Sequence, residues 1–77
     1  MNIKTEYNFL YFVFVKNTGK TTVWDCRNKK SDVILGEVKW YSAWRQYCYF
    51  PIVQAVYSDG CLKDIAEFIR QLKNGGV

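Results

Sequence analysis

The sequence predicts an α+β fold of order ββββα, a four-stranded antiparallel sheet with one C-terminal helix packed on one face. Three observations lead there. Apolar residues recur at every second position through short stretches rich in Val, Ile, Tyr, Phe and Trp, and Gly, Asn, Asp and Ser cluster between those stretches. After residue 58 the apolar period changes to that of a helix, with Leu62, Ile65, Phe68, Ile69 and Leu72 on one stripe. At 77 residues the chain has room for one core, so residues 1–77 read as a single domain.

The first strand, residues 7–16, is apolar on both faces: Tyr7, Phe9, Tyr11, Val13 and Val15 on one, Leu10, Phe12 and Phe14 on the other. Such a strand lies either at the centre of a sheet covered on both sides or at an interface between subunits. Residues 17–20 (Asn-Thr-Gly-Lys) supply a turn, with Gly19 free to take positive φ. In residues 21–28, Thr22, Trp24 and Cys26 alternate with Val23, Asp25 and Arg27, and the charges mark the second set as the wet face. Beyond the polar turn 29–32, a third strand sets Ile34, Val38 and Trp40 against Glu37, Lys39 and Tyr41. The fourth strand, residues 44–50, sets Trp44, Gln46, Cys48 and Phe50 against Arg45, Tyr47 and Tyr49, and Pro51, which has no N–H to donate, ends it. Trp24, Trp40, Trp44 and Phe50 are thereby expected under the helix.

Residues 52–57 read as a short edge strand or an extended connection. Ser58 or Asp59 caps the helix, Asp59 and Asp64 suit its start, Arg70 and Lys73 its last turn, and Asn74-Gly75-Gly76 its end.

Hydrophobic residues make up 49% of the chain and aromatic residues 18%, more apolar surface than one compact layer covers, so a homo-oligomer is expected. Eleven basic against seven acidic residues give a net charge of +4, which favours anionic partners. Three cysteines without a CxxC spacing, and no histidine, signal neither a disulfide framework nor a metal site, and a reducing, cytoplasmic setting follows. The apolar run 9–15 is too short for a membrane span or a secretory signal, so no membrane partner is expected.

Residues 18–22 (Thr-Gly-Lys-Thr-Thr) resemble the end of a phosphate-binding P-loop, but Phe14 stands where that motif needs its first glycine, and a strand follows in place of a helix. Without histidine there is no proton shuttle tuned to neutral pH, and no cysteine has a histidine base. The chain therefore reads as a binding protein with no cofactor and no catalytic residues. The wet face of the third and fourth strands carries the positive signal: Tyr41, Arg45, Tyr47 and Tyr49 beside Lys39, Glu37, Arg27 and Asp25. Aromatic rings offer π faces to bases and guanidinium groups bond phosphate oxygens in pairs, so nucleotides and single-stranded nucleic acids are the matching ligands. Arg45, Arg27 and Lys39 would meet phosphates, Tyr41, Tyr47 and Trp44 would stack on bases, and Gln46 would read a base edge. The competing structural reading is that the rings pair across strands and Arg45 joins Glu37 or Asp25.

The pattern around Trp40, Tyr41, Trp44, Arg45, Gln46, Tyr47, Phe50 and Pro51, followed by Cys61, Leu62, Asp64 and Ile65, resembles a family of very small proteins of phages and prophage-bearing bacteria. The likeness covers about half the chain, with Tyr49 where the pattern often has Phe. It implies a phage origin and leaves the activity open. Phage proteins of this size include "sponges" that sequester the cyclic nucleotide signals of bacterial defence, as homo-oligomers with ligand sites between protomers. By analogy, the expected function is sequestration of a cyclic nucleotide; single-stranded nucleic-acid binding and docking on a host defence protein are the alternatives.

Overall fold

A computed structural model describes residues 3–52 and 54–74. Four strands, β1 (Leu10–Asn17), β2 (Thr22–Asn28), β3 (Ile34–Tyr41) and β4 (Gln46–Pro51), precede one helix, α1 (Asp59–Lys73). The strands form an antiparallel sheet in the order β1-β2-β3-β4, and α1 packs on one face, as the sequence predicts. Gly19 takes φ 104 in the β1–β2 turn, where its N–H donates to Asn17 Oδ1 at 2.7 Å.

The core lies between sheet and helix. Leu10 and Phe12 of β1, Trp24 and Cys26 of β2 and Val38 of β3 meet Ile65, Phe68 and Leu72 of α1. Phe68 is at its centre, stacked on Phe12 with ring centroids 4.0 Å apart and edge-on to Trp24 at 5.2 Å. Burying a side chain of this size is worth roughly 1.5–3 kcal/mol. Ser58 caps the helix by accepting the Cys61 N–H at 3.2 Å. Leu62, assigned to the apolar stripe, is exposed. Asn74 is the C-cap; Gly75 and Gly76 lie outside the described residues.

The first strand departs from expectation in a way that matters for its surroundings. It begins at Leu10, because the chain reverses just before: Tyr7 N–H donates to Leu10 O and Phe12 N–H to Thr5 O, both at 2.9 Å. Residues 3–9 thus run back along the outer edge of β1 and tie to α1 through Gln71, whose amide bonds Lys4 and the Tyr7 hydroxyl. Asp64 is not a helix-start residue. It is buried and accepts the Phe9 N–H at 3.2 Å, pinning the reversal to the helix. β1 is an edge strand rather than a central one, and Val13, Phe14 and Val15 are exposed.

The face assignment of β4 is inverted. A four-residue turn, residues 42–45, joins β3 to β4, and Tyr41 pairs with Gln46, Trp40 with Tyr47 and Val38 with Tyr49. Side chains alternate along a strand, so this register puts Tyr47 and Tyr49 on the helix face with Val38 and Trp40. Gln46, Cys48 and Phe50 go to the open face with Glu37, Lys39 and Tyr41. Trp44 belongs to the turn and packs under nothing. β-Bulges change two further positions: Ile34 faces Arg27 on the open side while Leu35 turns toward the core, and β1 shifts register around Val15.

Residues 52 and 54–57 belong to no strand. Ile52 N–H and the Tyr57 hydroxyl both donate to Leu35 O, at 2.9 and 2.8 Å. With the Tyr57 proton so engaged, the 2.7 Å contact between the two hydroxyls makes Tyr49 the donor to Tyr57. Burial pushes the Cys26 thiol beneath them up to about 11, and it raises the Tyr49 hydroxyl as well.

Candidate functional site

The two hairpins part at one end of the sheet. β2 and β3 are in paired register from Trp24 opposite Val38 downward, while above that point β2 stays with β1 and β3 stays with β4. Thr22 N–H, which a β3 carbonyl would otherwise accept, reaches the Tyr47 hydroxyl of β4 at 3.1 Å. Trp24 Nε1–H donates to Thr22 Oγ1 at 2.8 Å, so Thr22, buried and polar, is satisfied from both sides. Tyr47 is in this sense a strut across the gap. Its replacement by Phe is expected to leave Thr22 N–H unpaired and to destabilise the fold by about 1–2 kcal/mol. Thermal unfolding of Tyr47→Phe checks this: the midpoint should fall by roughly 5–10 °C, and an unchanged midpoint would remove the strut from the account.

Between the parted hairpins lies a cleft of about 1110 Å³. Its walls are the β1–β2 turn from Asn17 to Thr22 on one side and Trp40 and Tyr47 on the other, with Leu72 of α1 at the base. Trp40 is 40% exposed and meets the Tyr47 ring edge-on at 5.5 Å, so an aromatic face remains open to the cleft. No lining residue is acidic, and Lys20 is exposed in the turn. The β3–β4 turn, with Arg45, stands at this same end, as does the last turn of α1 with Arg70 and Lys73. Arg70 and Lys73 offset the negative end of the helix dipole, which is aimed this way.

The residues singled out from the sequence divide among three places. Lys39, Tyr41 and Gln46 share the open face of the sheet near Trp44 and Arg45 of the turn. There Trp44, 66% exposed, lies edge-on to Tyr41 at 5.2 Å, Tyr41 meets Phe50 at 5.8 Å, and Lys39 Nζ sits 4.7 Å over the Phe50 ring and 2.9 Å from Glu37. Arg45 has φ 53 at the end of the turn, and its side chain makes no hydrogen bond or ion pair among the described residues. Tyr47 is on the opposite face, in the cleft. Arg27 is at the far end of the sheet, where it bonds Asp32 O at 3.1 Å and approaches its carboxylate at 3.8 Å, with the Tyr11 hydroxyl on the same carboxylate. The seven residues therefore do not form one site.

Trp40 and Lys20 were missed as site residues. Alternation puts Trp40 on the helix face, where it is found; what alternation does not report is that the sheet opens beside it. In the sequence Lys20 and its neighbours match only an incomplete P-loop. Their hydroxyls are used within the turn, Thr18 Oγ1 lying 2.6 Å from Thr21 Oγ1, which suits a rigid rim better than a phosphate cradle. Among the described residues no group of three or more His, Cys, Asp or Glu is placed to hold a metal ion, and no helix is long and apolar enough to cross a membrane. No protein-family model, curated protein or solved structure matches the chain.

Proposed function

We propose that this protein is a non-enzymatic nucleotide-binding protein that holds an anionic, base-bearing ligand in the cleft between the two hairpin ends. The observation that carries the reading is the pairing of an exposed Trp40 face with Lys20 in a concavity that no carboxylate lines. Stacking a base on an aromatic ring contributes roughly 1–3 kcal/mol whatever the base, and a cationic rim adds attraction for phosphate. Ligand pockets span about 300–1,000 Å³, so this cleft has room for more than a mononucleotide. A cyclic di- or oligonucleotide fits that size and charge, and a small protein that holds one without transforming it acts by sequestration. In a phage protein working in the host cytoplasm, the ligand would be a defence signal.

Titration calorimetry against mononucleotides, cyclic di- and trinucleotides and short single strands tests the proposal. Saturable heat with a cyclic nucleotide, only weakly dependent on salt, is the expected result. Affinity that grows with strand length and falls steeply with salt would mean single-stranded nucleic acid instead. No heat with any of them, and no nucleotide retained through purification, would remove the proposal.

A further inference from the structure

The helix covers one face of the sheet, and the other face is open, with apolar and charged side chains interleaved on it. Tyr11 and Val13 of β1, Ile34 and Tyr41 of β3 and Cys48 and Phe50 of β4 look outward from it, while Val23 of β2, on the same side, is buried among its neighbours. We infer that this open face is where two copies of the chain pair, sheet against sheet.

Two features select a second copy as the occupant. The first is charge. The face and its margin carry Lys16, Arg27, Lys39 and Arg45 against Glu6, Asp25, Asp32 and Glu37, four of each sign, so the excess of +4 lies elsewhere on the chain. Two copies of a basic protein repel through most of their surfaces, whereas here they meet with no net charge on either side. An acidic partner would be drawn to the cleft end instead. The second is area. Four strands about 4.8 Å apart, with six to eight residues each at about 3.3 Å per residue, present roughly 20 by 25 Å. Two such faces bury about 1,000 Å² in plan before side-chain relief is counted, which reaches what a specific interface needs. Tyr41, Trp44 and Phe50 stand at one corner as an exposed aromatic cluster of the residue types that dominate interface energies. The pairing also accounts for the outward apolar residues of β1, an edge strand whose exposed Val13 lies on this face. It stands whether or not the cleft binds a nucleotide.

Sedimentation equilibrium of the full chain tests the inference, with Cys48 labelling as an independent readout. The expected mass is twice the 9.1 kDa of the chain, and Val13→Lys or Phe50→Lys should each weaken the dimer at least about tenfold while the far-ultraviolet circular dichroism is unchanged. Cys48 is on the open face and Cys61 on the helix, so in the wild-type chain the labelling rate of Cys48 should fall as the dimer forms, with that of Cys61 constant. A wild-type chain that stays at 9.1 kDa up to about 1 mM overturns the inference and leaves the face to a different partner. A dimer in which Cys48 labels as fast as in the monomer overturns it equally, because another surface would then hold the copies together.

Discussion

Replacing Gly36 with alanine is expected to lower the unfolding midpoint by about 10 °C. Gly36 lies on the helix face of β3, opposite Pro51. A Cβ there would come within 2.6 Å of Phe50 O and of the Tyr49 hydroxyl, and 2.8 Å of Tyr49 Cζ. Neither neighbour can step aside cheaply. Phe50 O is backbone of the paired strand, and the Tyr49 ring is held by its bond to Tyr57 and by the core. Overpacking of this kind costs about 1–3 kcal/mol or more, a large part of the few kcal/mol that hold a domain of this size together. Gly19→Ala supplies the contrast: its Cβ would meet open space, and only the left-handed φ of 104 opposes it, at a cost of about 1–2 kcal/mol. Thermal melts of the two variants side by side decide the matter, and a Gly36→Ala midpoint at or above that of Gly19→Ala would show that β3 and β4 yield where the account holds them fixed.

Trp40→Ala is expected to weaken nucleotide binding by roughly 10- to 100-fold while leaving the fold in place. Trp40 contributes an open ring face to the cleft and is no part of the buried core, so its loss removes the stacking platform together with the edge-on contact to Tyr47. Trp44→Ala is the matched control. That ring is more exposed still, yet it sits in the β3–β4 turn against Tyr41, on the other side of the sheet. The account predicts that Trp44→Ala changes affinity by less than about threefold. Calorimetry on both variants with one ligand reads the difference directly, and the reverse order would move the site to the open face.

The sequence carried the order of elements because each rests on a local signal: Gly19 in its turn, the Ser58 cap, and the helical recurrence of Ile65, Phe68 and Leu72. It carried the faces of β2 because Asp25 and Arg27 separate cleanly from Trp24 and Cys26. In β4 that signal is absent, since Tyr47, Cys48, Tyr49 and Phe50 are apolar or amphipathic on both sides. Its register depends instead on the length of the preceding turn. A left-handed turn residue is usually Gly or Asn, and here the position is filled by Arg45, which hides the turn's end. Yet the turn of residues 42–45 and a shorter one of residues 42–43 both put Gln46, Cys48 and Phe50 on the Tyr41 face. The inversion comes from assigning Trp44 and Phe50 to the core by residue type, whereas the register sends Tyr47 into the cleft and Phe50 out of the core. The cleft itself was illegible for a different reason. It arises where β2 and β3 stop pairing, a long-range event reported by Thr22 and Tyr47 together, and neither residue announces it alone.

The central claim is the place of the ligand, and amide chemical-shift mapping tests it most directly. With a cyclic dinucleotide added to the isotopically labelled chain, the account predicts the largest shifts at residues 17–22, at Trp40 and its indole N–H, at Tyr47 and at Leu72. Shifts confined to Lys39, Tyr41, Trp44 and Phe50 would contradict it, as would a spectrum that the ligand leaves unchanged.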